Sequence, residues 1–292
     1  LEVLSNGYAV FSSKFIFKNK IFHGFMRRPE ITYRPLMTIR LGIAGITGRM
    51  GILLAQEVME SKATCSGGTS RAGDGAGNPP VFRDIESLAA ISDIVIDFSA
   101  AEAVQPNAAA LAAAGTGWVL GTTGLTPADE AAITAAAAKI PVVAAPNFSS
   151  GVNLVLALAQ RFAASLSAET HDAEILEMHH RQKRDAPSGT ALAFGRAVAA
   201  GRGINLADVM VSGRDGVTGP RGTGEIGFAT LRGGQIFGSH SLLMTAADEQ
   251  IVLTHHAFDR RIFAAGALRA ALWLYGKAAG RYAMADVLGL NE

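Results

Sequence analysis

The chain has 292 residues, 49% of them hydrophobic and 17% charged, with a net charge of +1. That is enough for one large domain or two ordinary ones with ample core, and it lacks the basic field expected of a nucleic-acid binder or a polybasic membrane-surface protein. No run of about 18 apolar residues suggests a spanning helix, and the lone Cys65 excludes an internal disulfide, fits a reducing, cytoplasmic compartment and reads as a small buried hydrophobe.

Residues 1–36 stand apart: they are rich in aromatic and basic side chains and carry only Glu2 and Glu30 as acids. A transit peptide is one reading, but Ser is scarce there and Glu30 intrudes; a secretory signal would need a clean apolar stretch. The preferred reading is an extension, or a misplaced start, ahead of Met37, outside the fold.

From Met37 the pattern is regular. Residues 39–44 form an apolar run of strand length, followed by Gly45-Ile46-Thr47-Gly48-Arg49-Met50-Gly51 and an amphipathic stretch over 52–60 with helical spacing. Strand, glycine turn and helix in that order give the glycines their meaning: a turn that tolerates positive φ, and bare N–H groups at a positive helix end where a pyrophosphate can sit. A second strand is expected over 64–68. Where an NAD-binding domain usually places an acid for the ribose hydroxyls, this chain reads Ser70-Arg71. A guanidinium there suits a 2′-phosphate, so the cofactor is NADPH or NADH, leaning to NADPH, with Asp74 as the residue that keeps NADH open.

Further α/β units follow: a strand over 94–98, with Ser99 as the expected cap of an alanine-rich helix; a strand over 118–121 running into Gly121-Thr122-Thr123-Gly124; a helix opened by Thr126, Pro127 and Asp129; and a strand over 142–145 leading to Pro146-Asn147-Phe148-Ser149. Alternation at this pitch predicts a doubly wound parallel sheet whose ligand lies at the carboxyl ends of the strands, which puts Phe98, Gly121, Thr122, Thr123, Ala145, Pro146, Asn147 and Phe148 on the nicotinamide side. After a helix near 153–164 the rhythm changes. Strand-like runs at 172–178, 225–231, 240–245 and 250–256 predict a mixed or antiparallel sheet, hence a second α+β domain, and a final helix over 263–280 is expected to return to the first.

The second half also holds His179-His180-Arg181-Gln182-Lys183-Arg184-Asp185-Ala186-Pro187-Ser188-Gly189-Thr190. A charge run is often only a solvated face, but this one lies between an apolar strand and an apolar helix over 191–198. Ser188-Gly189-Thr190 is a natural helix start, whose N–H groups favour a carboxylate. A histidine and a lysine close together suit proton delivery to a substrate that gains hydride. Metal binding is not expected: no H-E-x-x-H, nearby cysteine or dense carboxylate set is present.

Together with Asp97-Phe98-Ser99, the run from Asn147 to Asn153, Gly224 to Ala229 and Ala271 to Leu274, these motifs resemble dihydrodipicolinate reductase, in order from about Met37 onward. The resemblance implies a Rossmann-type domain (37–149 plus 260–292) and a substrate and oligomerisation domain (150–259). It implies reduction of 4-hydroxy-tetrahydrodipicolinate, a small cyclic dicarboxylate, by NAD(P)H in the diaminopimelate route to lysine. His179 would be the proton donor and Lys183 its partner; His180, Ser188, Gly189 and Thr190 would hold the substrate carboxylates; and Arg260 would join Gly45 to Met50, Ser70 and Arg71 among the cofactor-binding residues. A homotetramer without nucleic-acid or membrane partners is implied too. Ser70 departs from the acid that some members carry there. Two other readings, a related amino-acid dehydrogenase and a dinucleotide-sensing regulator, would need a different second-half constellation and a DNA-binding element respectively.

Overall fold

The computed structural model describes residues 38–72 and 77–291; the expectations about residues 1–36 and Asp74 fall outside them. The chain alternates strand and helix through β1 (Arg40–Ala44), α1 (Arg49–Met59), β2 (Thr64–Thr69), β3 (Val81–Phe82), α2 (Ile85–Ala90), β4 (Ile94–Asp97), α3 (Val104–Ala114), β5 (Gly117–Leu120), α4 (Pro127–Ala137), β6 (Pro141–Ala144) and the long α5 (Ser150–Ser165). It continues with β7 (Asp172–His179), α6 (Gly189–Gly201), α7 (Leu206–Val209), β8 (Met210–Ser212), β9 (Ile226–Arg232), β10 (Gly238–Thr245), β11 (Gln250–Ala257), α8 (Arg261–Leu274), β12 (Gly280–Tyr282) and α9 (Met284–Leu288).

Two sheets organise these elements. The first has seven strands in the order β12-β6-β5-β4-β1-β2-β3, every pair parallel. Its central strands are buried on both sides, as parallel strands flanked by helices must be. One face packs Leu41, Ile43, Ile96 and Val143 against α1, α8 and α9; the other packs Val95, Trp118 and Val142 against α2, α3 and α4. The second sheet is mixed, β11-β10-β7-β9-β8, with β10 antiparallel to both neighbours and β7, β9 and β8 parallel. Its inner face packs Ile175, Phe228 and Leu242 against α5 and α6. The fold is therefore the α/β, Rossmann-type sheet with a second mixed sheet that the sequence pattern predicts.

Three expectations are corrected. Ser99 does not cap the alanine-rich helix: a short 3-10 turn over Ala101–Ala103 precedes α3, and the Ser99 N–H and hydroxyl both donate to Asp97 Oδ1, at 2.9 and 2.6 Å. Asp97 is fully buried and also accepts from Asn107 and Trp118, so the local carboxylate outcompetes the helix end for the serine. The first helix begins at Arg49, three residues earlier than its apolar spacing indicated, with Gly48 as cap. The last helix does not run to residue 280. It stops at Leu274, Gly276 adopts φ +77°, and Gly280–Tyr282 turns back as an edge strand on β6.

Candidate active site

The strand order of the first sheet reverses at β1, with β4 on one side and β2 on the other. Such a switch point leaves a crevice at the carboxyl ends of the strands. A cavity of about 670 Å³ lies there, lined by Gly45, Thr47, Gly48, Thr69, Ser70, Arg71, Ala72, Arg83, Phe98 and Ser99, among others. Two glycines shape the strand-to-helix turn beside it. Gly45 turns the chain at φ +77°, where a side chain would be strained. At Gly51 a Cβ would fall 2.1 Å from the Gly45 carbonyl oxygen, so only glycine lets α1 approach the turn. The first turn of α1 carries no side-chain cap and no acid, which leaves its N–H groups and positive end for an anion. These residues fit a dinucleotide pyrophosphate.

The expected cofactor residues divide by position. Gly45, Thr47, Gly48, Ser70, Arg71 and Phe98 line this cavity; Thr122, Thr123, Ala145 and Pro146 line a neighbouring one of about 380 Å³ at the ends of β5 and β6. Gly121 sits under the Phe98 ring, where a Cβ would come within 2.3 Å of it. Phe148 is buried and packs on Phe98 with ring centroids 5.6 Å apart, so it supports the wall from the core. Ile46 and Met50 pack into the core, while Arg49 projects from the surface at the start of α1. Arg260 heads α8 but lines neither cavity. Sequence reasoning missed Arg83. It follows β3 as Arg71 follows β2, and these strands are paired, Thr69 with Phe82, so the two guanidiniums flank one rim.

The second sheet supplies the other half of the site. Along β7 the residues alternate, and Ala173, Ile175, Glu177 and His179 share the buried face. Glu177 is 1% exposed. Its Oε2 accepts from His179 Nδ1 at 2.5 Å and from Arg232 Nη1 at 2.9 Å; its Oε1 accepts from Arg232 Nη2 at 2.8 Å, from the Ser188 N–H at 3.1 Å and from the Thr230 hydroxyl at 3.3 Å. Burial alone would raise the Glu177 pKa, but the hydrogen bonds from Arg232 and His179 outweigh it and hold the group below the ordinary carboxylate value. Burial lowers the His179 pKa; Glu177 pulls it back up, while Lys183 and Arg232 add to the lowering. His240 lies edge-on to His179 at 5.0 Å and pairs through Nε2 with the Ser188 hydroxyl at 3.0 Å. Burial first, then His179, push its pKa down to about 4, so it is neutral in ordinary buffers.

Ser188 caps α6 as expected, accepting from the Ala191 N–H, and Gly189 and Thr190 form the helix's first turn. The Thr190 hydroxyl accepts from Asn147 Nδ2 at 3.4 Å, linking the loop after β6 to this turn. Lys183 Nζ pairs with Asp185 at 2.9 Å and is one-fifth exposed. The His180 Nδ1 is buried without a partner among the described residues. Glu177, His179 and His240 could offer ligand atoms within 4.8 Å of one another. Arg232 donates to both oxygens of that carboxylate, however, and its positive charge opposes a cation there.

Family models for the N-terminus and C-terminus of dihydrodipicolinate reductase match residues 39–148 and 151–288. The chain belongs to the dihydrodipicolinate reductase family. The 4-hydroxy-tetrahydrodipicolinate reductase of Acidiphilium cryptum is 65% identical over 252 residues, covering 86% of this chain and 98% of the relative; that of Granulibacter bethesdensis is 59% identical, covering 87% and 98%. Among solved structures, the dipicolinate-bound dihydrodipicolinate reductase of Paenisporosarcina sp. TG-14 superposes with a TM-score of 0.70 at 25% identity, covering 85% of this chain and 98% of that one. A probable dehydrogenase of Thermotoga maritima shares the fold alone, with a TM-score of 0.55 at 9% identity over 86% of this chain and 93% of that one. As a dihydrodipicolinate reductase, the chain pairs a nicotinamide-dinucleotide sheet with a second sheet that bears the histidine cluster.

Proposed function

We propose that this chain reduces 4-hydroxy-tetrahydrodipicolinate, in hydroxylated or dehydrated form, with NADPH as the preferred donor over NADH, in the diaminopimelate route to lysine. The observation that carries the reading is the buried His179 held beside the capped N-terminus of α6, with that helix tied through Thr190 and Asn147 to the strand ends of the nucleotide-binding sheet. A bound reduced nicotinamide supplies hydride to the substrate ring. The chain's own residues do the rest. The N–H groups of Gly189 and Thr190, the Thr190 hydroxyl and the His180 ring hold the carboxylates. His179 presents a proton from Nε2 to the electron-rich carbon left by reduction, and Lys183 offsets the developing negative charge. Turn N–H groups from Gly45 to Gly48 and the first turn of α1 hold the pyrophosphate; Arg71 and Arg83 face the 2′-phosphate.

The domain division goes with this reading: 37–149 plus 260–292 for the dinucleotide, 150–259 for substrate and assembly. Packing supports it, since α8 and α9 bury their apolar faces on the first sheet. Exposed Val252 and Phe258, on and just after the edge strand β11, favour assembly through the second sheet, in keeping with a homotetramer. The proposal places the enzyme in the cytoplasm; no helix among the described residues is long and apolar enough to cross a membrane.

The test follows NADPH and NADH oxidation by absorbance, with substrate made enzymatically in the cuvette. His179→Gln is expected to lower kcat by about 10²–10⁴-fold, the span of general acid catalysis, with cofactor affinity nearly unchanged. Dipicolinate, bound in the Paenisporosarcina relative, is expected to compete with substrate. A folded His179→Gln protein with normal kcat would refute the assignment of the acid.

A further inference from the structure

A histidine can donate a proton in a chosen direction only if its other nitrogen is fixed. In this chain the fixing group is a single buried carboxylate with two jobs. Glu177 Oε2 takes the Nδ1–H of His179, and Oε1 takes the N–H of Ser188, the cap of the helix whose first turn meets the substrate. Arg232 and Thr230, both from the neighbouring strand β9, occupy the remaining acceptor positions, so the carboxylate cannot rotate away. With Nδ1 engaged, Nε2 is the free nitrogen, and it faces Gly238 on β10, where a Cβ would lie only 3.1 Å away. The missing side chain leaves Nε2 approachable.

We propose that Glu177 is the positioning residue of this site, fixing His179 as the Nδ1–H tautomer and setting its distance from the substrate-holding end of α6. The charged and titratable groups facing His179 are Glu177 from its own strand, Arg232 from β9, His240 from β10 and Lys183 from the loop after β7. His240 is neutral over the working range. That leaves Glu177 as the acceptor that supports the imidazolium against burial and against two cations. Loss of its negative charge lowers the His179 pKa further. An acid works only while protonated, so activity lost as pH rises is then lost at lower pH.

The inference rests on His179 as the proton donor, but its first test is independent of turnover. Nitrogen-15 NMR of the full chain labelled at histidine, without ligands, reads the tautomer: neutral His179 is expected to carry its proton on Nδ1. A neutral His179 protonated on Nε2 overturns the proposal. In Glu177→Gln the His179 titration and the descending limb of the kcat–pH profile are both expected to move to lower pH. At alkaline pH kcat should fall by about 10²-fold or more, the lower end of what an acid contributes, and the loss should shrink as pH falls. Glu177→Asp keeps the charge and is expected to restore the midpoint while raising KM, because the shorter side chain cannot span both partners. An unchanged midpoint in Glu177→Gln refutes the role of Glu177. If that variant does not fold, the tautomer read in the unmodified chain decides, a neutral His179 protonated on Nε2 refuting it, whereas normal kcat in His179→Gln refutes only the acid assignment.

Discussion

Removing the Arg71 guanidinium should narrow the proposed preference for NADPH while Arg83 retains part of it, and the structure sets the size of the effect. Arg71 and Arg83 stand at the carboxyl ends of two paired strands on the rim of one cavity, and neither makes an ion pair among the described residues. A charge-assisted hydrogen bond to a phosphate contributes about 1.5–3 kcal/mol. Both arginines are exposed, so solvent and salt screening put each near the lower bound. At about 1.4 kcal/mol per factor of ten, Arg71→Ala should weaken NADPH binding by roughly tenfold and leave NADH within about twofold. Arg83→Ala should act in the same direction. The double variant should fall short of the product of the two losses if, as proposed, the two side chains share one phosphate. Calorimetric titration of the folded, substrate-free protein with each dinucleotide measures this directly, and raising the ionic strength should shrink the proposed NADPH preference of the unmodified chain. Equal losses for both dinucleotides would show that the arginines do not read the 2′-phosphate. A loss confined to Arg71→Ala would remove Arg83 from the argument.

Two other substitutions test the frame around the site. Gly238→Ala places a methyl group 3.1 Å from His179 Nε2 on a backbone that needs no positive φ, so kcat should drop by about tenfold or more with the melting temperature nearly unchanged, as measured by steady-state kinetics and calorimetry. Asp97→Ala strands the Ser99, Asn107 and Trp118 donors in a fully buried position and should cost about 2–4 kcal/mol of stability, read as a fall of the denaturation midpoint.

Much of the first sheet was legible because local pattern and tertiary role agree there. Short apolar runs, a glycine turn and capped helices recur at a fixed pitch, and the Thr126 cap appears as expected, reciprocated by Asp129. The short elements β3, α2, β8 and α7 were not legible: two to six residues carry too little periodicity, and pairing alone makes a strand of Val81–Phe82. The end of the last helix was missed for a related reason. Apolar spacing continues past Leu274, and only the backbone turn at Gly276 reveals the reversal. At the site, the run from His179 to Thr190 declared itself through residue types that pair only in space. Glu177, two residues ahead of that run, was given no role, although two apolar residues, an acid and a histidine alternate on one buried strand face, which demands a buried partner for the charge. Arg232 lies 55 positions away and could be joined to Glu177 only by the register of β7 on β9.

The outer strand β12 and the helices α8 and α9 all come from beyond residue 260, yet they complete the sheet that begins at residue 40. This fixes an order of events on the ribosome. The second sheet can close while the first still presents Leu41, Ile43, Ile96 and Val143 without their cover from Ala264, Ala267 and Ala271. Until α8 is released, the nascent chain carries a half-built nucleotide module with an apolar face open to other chains, a species prone to aggregation. A stop codon, proteolytic cut or fusion junction between residues 257 and 261 therefore damages the first sheet, though the lesion lies after the last strand of the second.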